Sequence, residues 1–271
     1  MKREYPEFIS TQLRFISECI QNRSLIWNVF KHNYVNQHKD TMLGYFWLIV
    51  NPCIPIFIYN LLQFMGIFAN EQKGIPRAVY LSLGLIVYYT FSESTNILTS
   101  SPVRNRVFLL GGGVQKSVII VASILEVISN FVIRYTLYLI LLAIYGFSVF
   151  KAITIVPLLI IFLVFLGSGI GIVLSVFNVL LKDVSNVVSM ACFYLLFGSG
   201  VFGVIEKTNL FFAILTYSPV YMVIHHSREL VFWGGASIPQ SLMVAMIVSV
   251  LCFMVSLIGY YRVESRINTF L

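Results

Sequence analysis

The 271-residue chain is 58% hydrophobic and 11% charged, with 18 lysines and arginines against 11 aspartates and glutamates and a formal net charge of +7. Several uncharged runs are long enough to cross a bilayer, which excludes a water-soluble globular domain and implies a polytopic membrane protein. On such a chain a basic surplus belongs first to loops kept on the cytoplasmic side, so no nucleic-acid partner is expected.

Residues 1–42 carry six basic and four acidic side chains ahead of any long apolar run. That is not the order of a cleavable signal, and the first span is expected to direct insertion. Within this arm Ile9, Leu13, Ile16 and Ile20 recur at spacings of four, three and four, one stripe of a helix. After the interruption at Asn22-Arg23-Ser24, a second stripe follows in Ile26, Phe30 and Tyr34. The arm is therefore predicted to be an amphipathic interfacial helix on the cytoplasmic surface, the alternative being a soluble arm packed on a partner.

Residues 43–68 form an uncharged run of 26 residues, about 39 Å as a helix. Tyr45, Phe46 and Trp47 stand at its start, where aromatic rings favour the headgroup zone. Further spans are predicted over 78–98, 117–145, 152–181, 184–205 and 240–261, six in all. Counting basic residues on alternate sides gives twelve against five and places both termini in the cytoplasm. Residues 208–224 are uncharged but broken at Ser218-Pro219, and are read as a re-entrant hairpin on the outer side between spans 5 and 6. Were that segment to cross, the carboxyl tail would lie outside. The expected fold is thus all-α, with a cytoplasmic interfacial region (1–42), a six-span domain (43–261) and a cytoplasmic tail (262–271).

Motifs that carry chemistry are scarce. Gly198-Ser-Gly200-Val-Phe-Gly203 matches a dinucleotide fingerprint by letters but lies within a membrane run rather than after a strand, and reads as helix packing or a kink. Gly111-Gly-Gly-Val-Gln115-Lys116-Ser117 resembles a phosphate loop, yet has Gln115 where that loop requires glycine. Cys19, Cys53, Cys192 and Cys252 are far apart and imply neither a disulfide framework nor a metal site. Gly167 and Gly171, with Ser168 and Gly169 between them, allow another helix to approach closely.

Glu93, Glu126 and Arg134 are the ionisable groups within spans, and intramembrane charges are functional candidates by default. Glu126 and Arg134 are eight residues apart, about 12 Å along a helix, and cannot pair with each other. Glu93, near the cytoplasmic end of its span, is expected to reach the interface. Arg134 either faces a polar pathway and meets phosphate or sugar, or is a buried arginine satisfied by carbonyls. His225, His226 and Glu229 form one cluster suggestive of catalysis, but no zinc-protease spacing and no nucleophile accompany them. Neither catalytic nor metal-binding residues are expected.

Several short motifs occur in an ordered series: Leu43-Gly44-Tyr45-Phe46-Trp47 and Pro52 at the first span, Asn178-Val179-Leu-Leu-Lys182-Asp183 between spans 4 and 5, Ser218-Pro219-Val-Tyr221 and Ser227-Arg228-Glu229 in the outer segment, and Tyr261-Arg262-Val-Glu264 after span 6. With the amphipathic arm and the six-span frame, the chain resembles the permease subunit of ATP-binding-cassette exporters of lipid-linked polysaccharides, the O-antigen, teichoic-acid and capsule group. It differs in having Lys182 where that family often has arginine, and Phe108-Leu-Leu-Gly111 where its loop between spans 2 and 3 often has Phe-Pro. The resemblance implies a homodimer in the bacterial inner membrane, working with two separate nucleotide-binding subunits that hold the ATP and Mg. The chain itself would need no cofactor. It implies that loop 99–116 docks on the ATPase through Arg104 and Arg106, and that the cargo is a polyprenyl-diphosphate-linked glycan, O-antigen being favoured by the extended arm. Because aromatic rings suit sugar faces, Tyr45, Trp47, Tyr88, Tyr89 and Tyr135 are candidates for lining the path, with an interfacial aromatic belt as the competing account of each.

Two other classes compete with export. One is a polytopic enzyme that modifies a lipid-linked sugar with His225, His226 and Glu229. The other is a passive channel, disfavoured because no regular charged ring is apparent.

Overall fold

The computed structural model describes residues 7–35, 46–67, 71–72, 74–111, 114–203, 217–234 and 240–270. The arm comprises α1 (Glu7–Gln21) and α2 (Arg23–Phe30), the latter extended by a π-helical turn, Lys31–Val35. Then come α3 (Phe46–Phe64), a two-residue hairpin of β1 (Glu71–Gln72) and β2 (Ile75–Pro76), and α4 (Arg77–Arg104). The remaining helices are α5 (Arg106–Gly111), α6 (Lys116–Ile144), α7 (Val149–Leu180), α8 (Val184–Gly198), α9 (Pro219–Arg228) with a π-helical turn Glu229–Trp233, and α10 (Gln240–Phe270).

Helix is present at each of the six expected spans. Among the described residues, α6, α7 and residues 240–263 of α10 are long and apolar enough to cross a membrane. Helix α4 has the length, 28 residues, but too many serines, threonines and asparagines for its composition alone to carry it across. Helix α8, at 15 residues, reaches about 22 Å, short of a hydrocarbon core of roughly 30 Å. It stops before the predicted end at 205 because Gly200 adopts a left-handed φ of 75°. There an added Cβ would lie 2.6 Å from the Tyr221 ring, so the turn requires glycine on both conformational and steric grounds. Residues 204–216, most of the predicted re-entrant segment, lie outside the described residues. Its remainder is the start of α9, where Pro219 occupies the first turn and Ser218 Oγ accepts a hydrogen bond from the Tyr221 backbone N–H at 3.2 Å.

Helix α4 is the centre of the bundle. Leu81, Leu83, Leu85 and Ile86 have no exposed surface. Its hydroxyls bond back to its own carbonyls, as with Thr90 to Ile86 (2.7 Å) and Thr99 to Thr95 (2.7 Å), which satisfies them where water is absent. The small residues of α7 bring it against α4 on one side and α10 on the other. A Cβ on Gly167 would meet Ser94 and the Phe91 carbonyl, one on Gly171 the Thr95 carbonyl at 2.7 Å, and one on Gly169 the Phe253 backbone nitrogen at 2.9 Å. The close-packing role expected of these glycines is thus performed on both faces of α7.

Helix α1 docks by a mixed face on which the Phe15 ring meets Phe253 edge-on. Gln12 Nε2 donates to the Met254 carbonyl at 3.0 Å, and the Tyr261 hydroxyl donates to Glu18 Oε2 at 2.7 Å. Burial pushes the Glu18 carboxyl up, but hydrogen bonds from Tyr261, Ser117 and Arg14, with the Arg14 charge, outweigh it and hold the group below its ordinary value. Meanwhile Leu13, Ile16 and Ile20 of the predicted stripe are 51%, 53% and 69% exposed. A helix that turns its apolar stripe away from the protein is arranged as for a lipid surface. The second stripe behaves oppositely, with Ile26, Phe30 and Tyr34 buried against Val118 and Ala122 of α6.

Two outcomes follow. Gly171→Val forces a contact that backbone must yield to and is expected to destabilise by about 1–3 kcal/mol, whereas Gly259→Ala, with nothing within 4 Å of its added Cβ, is expected to be neutral or better; thermal unfolding in detergent measures both. Because the Glu18 pKa is lowered, its contribution to docking of α1 is present above its unfolded pKa and lost as pH falls through the folded value. Glu18→Gln is therefore expected to increase hydrogen exchange of α1 at neutral pH, and to differ little from the parent in strong acid.

Candidate functional site

Two ion pairs join α4 to α6, each with one buried member. Arg134, with no exposed surface, donates from both terminal nitrogens to the two oxygens of Glu93, each at 2.7 Å. Glu93, predicted to reach the interface, instead turns inward, and its carboxylate rather than backbone carbonyls satisfies the arginine. Asn130 Nδ2 donates to Glu93 at 3.2 Å, and the Tyr34 hydroxyl of the arm donates to Asn130 Oδ1 at 2.9 Å. Near the end of α4, Arg104 makes the same two-pronged contact with Glu126, at 2.9 and 2.7 Å. Pairing of this kind makes both charges tolerable away from water. Sequence reasoning separated Glu126 from Arg134 correctly but missed both partners, because they lie across helices rather than along one.

Arg104, predicted as an ATPase contact, is thus bonded within the chain, although its side chain keeps 30% exposure. Arg106 is exposed, and so are Val107 (80%) and Leu110 (52%) on the short α5. The arm grips this corner: Asn33 Nδ2 donates to Asn105 Oδ1 at 2.9 Å, and the His32 ring meets Phe108 edge-on at 5.0 Å. Of the residues in the phosphate-loop look-alike, Lys116 is buried with its ammonium 5.9 Å from the Tyr260 ring centroid, while Gly112 and Gly113 lie outside the described residues. In the look-alike dinucleotide motif, the Gly200 turn presents carbonyls. Arg228 donates to Gly200 at 2.8 Å, Val201 at 2.6 Å and, across to α4, Tyr80 at 3.1 Å, while Arg77 donates to Phe202.

The predicted aromatics are scattered. Tyr88 and Tyr135 are buried, the first donating its hydroxyl to the Cys192 carbonyl of α8 and the second stacked between Phe131 and Tyr138. Tyr89 and Trp47 are half-buried, and Tyr45 lies outside the described residues. An aromatic face that sequence reasoning missed is on α8, where Phe193, Tyr194 and Phe197 are 55%, 65% and 59% exposed; the four-residue spacing of Phe193 and Phe197 could have found it. Between α3, α4 and α6 lies a cavity of about 330 Å³, walled mainly by apolar groups together with Arg134, Asn60 and Tyr138. Arg134 Nε, Asn60 Oδ1 and the Tyr138 hydroxyl are buried and have no hydrogen-bond partner among the described residues.

At the end of α9, His225, His226 and Glu229 do come together. Glu229 Oε2 lies 2.8 Å from His226 Nδ1 and 3.5 Å from His225 Nδ1. No nucleophilic side chain has been brought to them by any contact found among the described residues.

The model of the ABC-2 type transporter family matches residues 24–232, from the start of α2 to the π turn after α9. Two curated proteins are similar along much of their length. An O-antigen export system permease protein RfbA of Klebsiella pneumoniae is 26% identical over 207 residues, 73% of this chain and 76% of that protein. One of the same name from Myxococcus xanthus is 22% identical over 177 residues, 65% of this chain and 67% of the other. The match covers well over half of the chain and takes in both α4–α6 ion pairs, α5 and the arginine-bound turn, and the chain belongs to the ABC-2 type transporter family.

Proposed function

We propose that this chain is the membrane subunit of an exporter that carries a lipid-linked polysaccharide, O-antigen in particular, across the bacterial inner membrane. The observation that carries the reading is the similarity to two O-antigen export permeases over about two thirds or more of their length. In this reading the chain crosses six times, with α3, α4 and α8 as spans besides α6, α7 and α10. Both termini are cytoplasmic and segment 208–224 is re-entrant on the outer side. Two copies pair, and two separate ATPase subunits supply ATP and Mg; this chain does no catalysis.

Helix α5 suits the docking role. It is short, exposed, and offers a cation at Arg106 beside apolar Val107 and Leu110, a combination that binds a groove on another protein. Arg104 acts from behind by fixing the end of α4 to α6. Because a second pair fixes the same two helices at Glu93 and Arg134, a push on α5 moves α4 and α6 as one body instead of bending the connection between them. The exposed rings of α8 provide flat apolar faces for sugar, while Arg134 serves the path by holding its wall together. Among the described residues no contact pairs a nucleophile with His225, His226 and Glu229, so the sugar-modifying alternative gains no specific support.

Purification of the tagged chain from its native membranes in mild detergent tests the reading. A stoichiometric ATPase subunit, and accumulation of lipid-linked glycan on the cytoplasmic side when the chain is deleted, are expected. A chain that purifies alone, in cells that lose only one modification of an otherwise normal surface glycan, contradicts it. For docking, Arg106→Glu with Val107→Asp is expected to lower glycan export at least tenfold at unchanged chain abundance, and to release the ATPase during purification. For the inner pair, Glu93→Ala leaves a buried cation unpartnered and is expected to cost about 3–5 kcal/mol. Glu93→Leu with Arg134→Met should restore much of that stability, as measured by thermal unfolding.

A further inference from the structure

We propose that His225, His226 and Glu229 bind one divalent transition-metal ion of the zinc class. His225 and His226 in the last turn of α9 and Glu229 at the start of the π turn stand at spacings of three and four, which sets them on one face. Their ligand atoms all lie within 4.8 Å of one another, with Nδ1–Oε2 separations of 2.8 and 3.5 Å. Two bonds of about 2.0–2.1 Å at a tetrahedral angle separate ligand atoms by roughly 3.3 Å. A cation therefore fits with small side-chain movements and no change of backbone.

The surrounding structure fixes this face. Arg228, one residue before Glu229, is buried and bound to three backbone carbonyls, so α9 cannot rotate. Tyr221 places its ring 5.7 Å from that of His225, and Gly200 in turn leaves room for the Tyr221 ring. The backbone passes from α to π geometry at Glu229, and such turns recur at functional sites.

The donor set selects the metal. Two imidazoles and one carboxylate suit zinc, cobalt, nickel or copper, whereas magnesium and calcium require oxygen ligands. The three side chains are 29%, 16% and 46% exposed, so a fourth position is open to water or to an oxygen of a solute. The order His-His-x-x-Glu is no recognised zinc motif, and only the folded turn shows the convergence.

The test uses the detergent-purified native complex, treated with EDTA and titrated with Zn²⁺ against a chromophoric chelator and with Co²⁺ by visible absorption. One equivalent per chain, with Co²⁺ bands of a four-coordinate site, is expected. His226→Ala, His225→Ala and Glu229→Gln should each weaken binding at least tenfold, whereas His32→Ala, remote on the arm, should leave it unchanged. Glu229→Gln preserves size and shape, and thermal unfolding in EDTA checks that it folds. Wild-type binding below one equivalent, or equal affinity in a folded Glu229→Gln protein, overturns the proposal.

Discussion

A polar helix at the centre of an apolar bundle needs partners from its neighbours, and α4 imposes that condition on the helices around it. Many of its hydroxyls bond back to its own carbonyls, but Ser82, Glu93, Asn96, Arg104 and several backbone carbonyls have partners elsewhere. Each neighbour supplies one: Asn60 of α3 reaches Ser82 at 3.0 Å, Arg134 and Glu126 of α6 take the two charges, Asn178 of α7 donates to the Thr99 carbonyl at 3.3 Å, and Ser189 of α8 donates to Asn96 at 2.8 Å. Arg228 completes the set from α9. Individually such interhelical bonds contribute on the order of 1 kcal/mol. Together they determine which helix stands beside which.

The same contacts join the arm to the interior. From Asn33 and Asn105 at the α4–α5 corner, and from Tyr34 through Asn130 to Glu93 and Arg134, hydrogen bonds run from the exposed α5 into the bundle. The arm thereby has two opposed surfaces, an apolar stripe on α1 turned to the outside and a polar or buried side turned to the protein. A segment so built is bonded to the α4–α5 corner on one side and presents apolar side chains on the other. The glycines of α7 do the complementary work, because only without side chains can α7 lie so near both α4 and α10.

Much of this was legible in the sequence. Apolar run length located helix at all six expected spans, and the heptad-like spacing of Leu13, Ile16 and Ile20 marked the stripe of α1. Gly167 and Gly171 announced close packing. Contacts between helices were not legible: nothing in the order of residues pairs Glu93 with Arg134, forty-one positions away. The aromatic candidates are placed unequally for the same reason. Tyr88 and Tyr135 have the chemistry for sugar but face protein, whereas Phe193, Tyr194 and Phe197 point outward. The spacing of His225, His226 and Glu229 sets them on one helical face, and the fold adds the 2.8 and 3.5 Å separations of their side-chain atoms.

The proposed exporter requires α4 to cross the membrane at the core of the bundle, with α5 and the turn after α9 on opposite faces. Single cysteines at Val107 and Trp233, both exposed, placed in a chain whose four natural cysteines are replaced, test it with a membrane-impermeant maleimide. Labelling of the Val107→Cys chain only from the cytoplasmic side, and of the Trp233→Cys chain only from the outer side, is the expected result. Labelling of both from one side would contradict the account.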